Sequence, residues 1–538
     1  MTSVSAPVSR DSLARGAAVI TVATAVSRIT GFVRVVAVAA AMGTTYLSNT
    51  YQTANTAPNV VFELVAAGVL TSVFVPTFID YLVKDDRDQG WAAANVLTSV
   101  ALVALAGLAA LLALSAPLVM RALTLGVEDP GLRAEQVRVG ATLLRLFAPQ
   151  VVLYGVGMIM TGALHAHRRF ALAASASILN NVVVIGVYAG YAFMRGDKPP
   201  TLAGLTVGET FLLGAGTTLG VLAMTVVLIP QLVRLGWRYR WSWRLDHPVL
   251  RKATRLGVWA LGYAGGYQAG LVVVLLLANK VEGGVAAYQW AYTFFYVPHA
   301  LFAMPVFSVL FPAMSEHVAR GERAGYARRL TEGLAMLSFL LVPISLWMLI
   351  ESANIARVIL DYGVMTETGA AEVGRVIGAF AIGLPAYSGF LVLTRAYYAL
   401  GDTRTPALVN AATVVVSSGA GAAMFYGLPS RMAVPGLAYG HSVGFMLGLL
   451  ALAGLLGARL APGDHPWPMA AMGRAALAGA AAAGAMQAVA VVVPDASKAG
   501  ALVSLAAAAA AGSAVYLAAM HLLRSPEMAR LTALVARR

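Results

Sequence analysis

Stretches of roughly 20 apolar residues recur along this chain, and no other feature restricts its fold so severely. Fourteen can be counted, starting near residues 17, 50, 92, 138, 171, 206, 256, 284, 330, 371, 406, 433, 469 and 499. A helix of that length matches the hydrocarbon thickness of a bilayer. Inside lipid no water is available to pair with the backbone, so a spanning segment is a helix or part of a closed barrel. The alternation of barrel strands is absent, which leaves helices. Charged residues make up only 12% of the 538 positions and hydrophobic ones 59%, with a mean hydropathy of +0.76. The expected fold class is an all-α polytopic membrane protein.

Composition removes several kinds of chemistry. With no cysteine, the chain has no disulfide, zinc–thiolate site or thiol nucleophile. Its eight histidines show no paired metal spacing, and no Walker, Rossmann or nucleophile-elbow motif occurs. No cofactor is expected. The net charge of +14 would suggest nucleic acid on a soluble protein, but here it fits basic cytoplasmic loops. The segment "RLGWRYRWSWRLDHPVLRKATR", Arg234 to Arg255, holds seven basic residues against the single acid Asp246. Arg320, Arg323, Arg328 and Arg329 follow the eighth span, and Arg524, Arg530, Arg537 and Arg538 follow the last. All these clusters fall on one side of the scheme. The positive-inside rule makes that side the cytoplasm and places both termini there. Trp237, Trp241 and Trp243 fit an interfacial segment better than a ligand site. The first apolar run is too long for a signal-peptide core and is read as a retained helix.

An internal repeat is visible. "APLVMRALTLGV" (116–127), "LFAPQVVLYG" (146–155) and "ALHAHRRF" (163–170) recur as "ANIARVILDYGV" (353–364), "AIGLPAYSGF" (381–390) and "AYYALGDT" (396–403), offset by about 237 residues. A shift of six spans preserves orientation, which predicts two six-helix lobes related by an axis along the membrane normal. The expected division is residues 1–235, a basic connection 236–255, a second lobe 256–458, and two further helices in 459–538.

Within the first span, "SRITGFVR" (27–34) carries two arginines that are expected to face a cavity, because charge at the bilayer centre is costly; the alternative is that one or both snorkel to an interface or pair with Glu63. Arg28 and Arg34 stand six residues apart, about 9 Å of rise and about 120° of rotation. Gly31 lies midway on that arc, leaving room for an anion with several oxygens such as a diphosphate. Glu63 is the main mid-span carboxylate of this lobe: either a resting counter-ion for an arginine or a structural partner. Pro58, Pro76, Pro298, Pro305 and Pro312 are expected to break helices two and eight. Lys280 is expected at the outer interface.

These segments resemble the MurJ (MviN) lipid II flippases of the multidrug/oligosaccharidyl-lipid/polysaccharide exporter superfamily. The strongest matches are "SRITGFVR", "TAPNVVFELVAAGVLTSVFVPTF" (56–78), "LLRLFAPQVVLYGVGMIMTGALHAHRRF" (143–170), "FPAMSEH" (311–317) and "GLPAYSGFLVLTRAYYALGDTRTP" (383–406). The resemblance implies a V-shaped transporter of fourteen helices with a central cavity, in the bacterial plasma membrane. It also implies an undecaprenyl-diphosphate-linked peptidoglycan precursor as substrate, with Arg28 and Arg34 at the diphosphate. Cell-wall synthesis proteins are candidate partners; nucleic acid is not. The chain departs from the family pattern at several cavity charges. Val35 follows the second arginine, Asn49 replaces an aspartate, Phe62 and Glu63 replace an arginine pair, and Thr293 replaces the arginine of helix eight. The candidate binding set is Arg28, Gly31, Arg34, Asn49, Asn55, Asn59, Glu63 and Thr293. A non-enzymatic flippase is the leading expectation. The alternatives are an exporter of another polyprenyl-linked glycan, a drug/cation antiporter of the same superfamily, and a transport-dead scaffold.

Overall fold

The computed structural model describes residues 10–69, 87–167, 169–244, 246, 265–460, 467–493 and 497–529. Pro76, the second half of the basic connection, the start of the seventh span, and Arg530, Arg537 and Arg538 lie outside the described residues. Among the described residues all regular structure is helical. The chain divides into two compact units, Met1–Gln268 and Ala269–Arg538.

The first unit contains α1 (Arg10–Met42), α2 (Tyr46–Val69), α3 (Arg87–Leu114), α4 (Ala116–Leu123), α5 (Pro130–Phe147), α6 (Gln150–Ala166), α7 (Phe170–Arg195), α8 (Val207–Val226) and α9 (Ile229–Arg234). α8 starts with a complete capping box. Thr206 Oγ1 accepts from the Glu209 backbone, and the Glu209 carboxylate accepts from the Thr206 backbone. Small residues let these helices approach closely. A Cβ added at Gly214 of α8 would stand 2.4 Å from the Leu146 side chain of α5.

The second unit begins with α10 (Gly265–Ala278, whose first residues belong to the first unit) and continues with α11 (Gly284–Pro298). A π-helical turn, His299–Ala303, leads into α12 (Met304–Ala319). α13 (Arg323–Ile350), α14 (Ser352–Leu360), α15 (Glu367–Ala399), α16 (Arg404–Gly427), α17 (Ala433–Gly457), α18 (Met469–Val492) and α19 (Lys498–Leu522) complete it. The internal repeat is visible as structure. In each unit a short amphipathic helix (α4, α14) precedes a long one, and the N-caps of the long helices, Asp129 and Thr366, are 237 residues apart. The shared proline acts differently in the two copies. Pro149 separates α5 from α6, whereas Pro385 lies inside the unbroken α15.

Among the described residues twelve helices are long and apolar enough to cross a membrane, and they coincide with twelve of the fourteen expected spans. The remaining two have identifiable reasons. The seventh expected span is described only from residue 265. The second, α2, is 24 residues long but interrupted by Ser48, Asn49, Thr50, Gln52, Thr53, Asn55, Thr56 and Asn59. The expected break at Pro58 does not occur, and α2 continues through it. A proline removes one backbone donor, and here the Asn59 amide donates to the Asn55 carbonyl at 2.8 Å, adding a bond where the ladder is thinned. Pro298 and Pro305 do flank a disturbance, the π turn, while Pro312 is accommodated within α12.

Candidate functional site

Arg34 stands three-quarters of the way along α1, half-buried among residues from three other helices. Its guanidinium acts electrostatically on the hydroxyls of Tyr51 (α2), Tyr154 (α6) and Tyr188 (α7). Tyr51 is fully buried. Its hydroxyl bonds to Thr217 Oγ1 of α8 at 2.6 Å and to the Tyr188 hydroxyl at 3.1 Å. Thr217 Oγ1 in turn donates to the Leu213 carbonyl at 2.6 Å, so within this chain of bonds Tyr51 donates to Thr217 and accepts from Tyr188. Tyr154 reaches the Gln150 Oε1 at 3.4 Å, while Gln150 Nε2 donates to Thr218 Oγ1 at 3.1 Å. Edge-to-face packing of Phe147 on Tyr51, with ring centroids 5.5 Å apart, fixes the buried end of the cluster.

Among the described residues Arg34 has no carboxylate partner, and the nearby groups on which its charge acts are three tyrosine hydroxyls. The hydroxyl hydrogens of Tyr51 and Tyr188 are spent within the cluster, so the donors it can offer an acceptor are those of the guanidinium. The buried Tyr188–Tyr51–Thr217 chain fixes two of the tyrosines and leaves little rotamer freedom to lose on binding.

The other expected residues are distributed unevenly. Arg28 is exposed on α1 and has interactions of its own. Beside Gly31 an added Cβ would meet the Asn181 amide of α7 at 3.5 Å, an ordinary contact. Asn181 Nδ2 also donates to the Ser27 carbonyl and Thr30 Oγ1, at 3.2 and 3.1 Å, so this glycine serves the close pairing of α1 with α7. On α2, Asn55, Asn59 and Glu63 share an accessible stripe with Gln52 and Thr56, following the helical repeat. Asn55 Oδ1 is enclosed without a hydrogen-bond partner in the protein. Asn49 faces the interior and is fully buried. Glu63 is exposed, and no ion pair joins it to Arg28 or Arg34. Thr293 belongs to the second unit, where its hydroxyl donates to the Gln289 carbonyl at 3.1 Å. Lys280 lies over the Tyr426 ring, 5.0 Å from its centroid. Among the described residues no group of three or more histidine or carboxylate side chains is placed to hold a metal.

Tyr51, Tyr154, Tyr188, Gln150 and Thr217 are absent from the sequence-derived set. Their contacts join positions 137 and 166 residues apart, so no local spacing announces them. The available signal was weaker: hydroxyls and an amide in otherwise apolar spans, each needing a buried partner.

Among the described residues, twelve helices long and apolar enough to cross a membrane define a multi-pass membrane protein. The chain belongs to the MurJ family: the model described as "Lipid II flippase MurJ" matches residues 38–509. A protein of Rhizobium tropici described as a probable lipid II flippase MurJ is 28% identical over 417 residues, covering 76% of this chain and 75% of its own length. The solved structure of a lipid II flippase MurJ in an inward closed conformation superposes with a TM-score of 0.76 at 18% identity, over 94% of this chain and 98% of that one. An inward-facing multidrug resistance MATE transporter superposes with a TM-score of 0.62 at 11% identity, over 80% and 93%, so the two share a fold.

Proposed function

We propose that this chain carries a polyprenyl-diphosphate-linked peptidoglycan precursor, lipid II, from the inner to the outer leaflet of a bacterial plasma membrane by alternating access. Both termini and the Arg234–Arg255 connection are cytoplasmic in this reading, as the distribution of basic residues favours. The observation that carries the proposal is Arg34, a cation in an apolar helix whose charge acts on three tyrosine hydroxyls and which lacks a carboxylate partner among the described residues. An unpaired cation in lipid is costly unless an anion visits it, and a diphosphate supplies both the charge and several acceptors. Arg28, about 9 Å nearer the start of α1, makes the first contact, and the stripe Asn55–Asn59–Glu63 lines the route of the polar head. Cation antiporters of this superfamily would be expected to use carboxylates where Arg34 stands, which makes drug export the weaker reading.

The test is the leaflet distribution of the precursor in cells that depend on this chain. Arg34→Ala is expected to accumulate precursor on the inner leaflet at a normal membrane protein level. Arg34→Lys should retain partial function, since one compact charge replaces a planar fork. Normal flipping by the double variant Arg28→Ala/Arg34→Ala would overturn the assignment of these residues.

A further inference from the structure

Residues 237–244, "WRYRWSWR", alternate strictly: rings at Trp237, Tyr239, Trp241 and Trp243, and arginines at 238, 240 and 244, with Ser242 between. In an extended chain alternate side chains leave on opposite edges, so this sequence makes one aromatic edge and one cationic edge. The segment contains no helix or strand pairing, yet it is firmly held. Three residues of α3 at successive helical turns, Trp91, Asn95 and Ser99, form its dock. Trp91 stacks on Trp237, with centroids 6.3 Å apart. Asn95 accepts from Trp237 Nε1 at 3.0 Å and donates to the Arg238 carbonyl at 3.3 Å. Ser99 Oγ takes the Ser242 backbone N–H at 3.0 Å and bonds to the Tyr239 hydroxyl at 3.1 Å.

The dock covers only the start of the aromatic edge. Trp237 is 7% exposed, but Trp241 and Trp243 are 60% and 48% exposed and stacked nearly parallel on each other, 6.2 Å apart. Arg238, Arg240 and Arg244 are exposed as well. Among the described residues none of them meets a carboxylate. Two indoles held rigidly in the open beside three cations suit a surface that is apolar below and anionic above. The dock occupies the first turns of the span Gln89–Leu114, from Trp91 to Ser99, next to the polar start Arg87 to Gln89, and this end of α3 faces a membrane boundary. Indoles favour that boundary because their rings are apolar while their N–H seeks a partner.

We propose that this strap is a binding site for anionic phospholipid headgroups, with Trp241 and Trp243 entering the headgroup–acyl boundary and Arg238, Arg240 and Arg244 taking the phosphates. Fixed attachment to α3 makes it a built site, because the arginines are spaced before any lipid arrives. The site is independent of the Arg34 cluster and of the substrate assigned to it.

The test uses the full chain in detergent, titrated with phosphatidylglycerol or phosphatidylcholine and read by native mass spectrometry. The wild type is expected to retain phosphatidylglycerol preferentially. Each arginine replaced by Gln should weaken that retention about fivefold, while the triple Arg→Lys variant keeps most of it. Arg34→Ala should leave it unchanged. Brominated phosphatidylglycerol should quench tryptophan emission, and the double variant Trp241→Phe/Trp243→Phe should lose most of that quenching. Equal retention of the two lipids, or unchanged retention in the triple Arg→Gln variant, would overturn the proposal. So would arginine-dependent binding of an acidic peptide or of polyuridylate that excludes the lipid, which would mark a soluble partner instead.

Discussion

Asp402, in the turn between α15 and α16, ties this turn to the end of α17. It accepts from the Thr405 backbone and hydroxyl at 3.0 and 2.6 Å and from Arg459 at 2.6 Å. The Arg459 guanidinium also lies 5.3 Å from the Tyr397 ring centroid and donates to Thr405 Oγ1. Burial opposes the charge, but the Thr405 bonds and Arg459 outweigh it and hold the carboxyl well below the usual carboxylate range. A depressed carboxyl stabilises the fold above its unfolded value near 4 and loses that contribution as pH falls toward its folded value. Asp402→Asn is therefore expected to lower stability by about 1–2 kcal/mol at neutral pH. The gap from wild type should narrow from pH 5 to pH 3 in thermal melts; a constant gap would mean that the charge is not what matters. Gly31 carries a second residue-scale expectation. Ala fits there, since 3.5 Å from Asn181 is an ordinary contact. Leu displaces the Asn181 amide and breaks its bonds to Ser27 and Thr30, so Gly31→Leu should reduce folded yield as well as transport. Full yield with selective loss of transport would restore the reading of Gly31 as open space for a ligand.

At the scale of elements, α16 and α17 meet through backbone. A Cβ on Gly440 would stand 2.3 Å from the backbone N and Cα of Gly421, atoms that cannot move aside. Gly440→Ala should destabilise the pair by about 1–3 kcal/mol, read as a lower melting temperature of the purified chain. Gly484 has open space around it, so Gly484→Ala serves as the neutral control. Long apolar runs made most helices legible in the sequence, because length and hydropathy act locally. What stayed hidden depends on partners. α2 is polar both on the face its neighbours bury, at Ser48, Asn49, Thr50 and Thr53, and on its accessible stripe, so hydropathy alone does not mark it as a span. Pro58 marked a break that the helix absorbs, since backbone loss can be offset by a side chain such as Asn59. The candidate site was legible only at its charged member. Arg34 stands out in an apolar run, whereas Tyr51 and Tyr188 gain meaning only beside Thr217. Gly31 is ambiguous in the sequence because a missing side chain reads the same whether a ligand or a neighbouring helix fills the space.

The whole molecule is two units built on one repeated helical plan, with α18 and α19 added to the second. α19 is tied to α13 by bonds from Trp347 Nε1 to the Leu505 carbonyl and from the Tyr516 hydroxyl to the Phe339 carbonyl. A chain without cysteine accepts single reporters cleanly. A cysteine at exposed Ser430 should react with an impermeant maleimide added to intact cells, and one at Ser242 should react only after permeabilisation; the reverse pattern would invert the orientation. The polarity of α2 also bears on how the protein is made. Amides and hydroxyls from Ser48 to Asn59 would keep this segment from partitioning unaided as it leaves the ribosome. Neighbours that arrive later supply its partners, among them Thr217 for Tyr51, more than 160 residues downstream. Biogenesis must therefore shelter a half-finished first unit, and nascent chains truncated soon after α2 should fail to integrate it until the helices up to α8 have emerged.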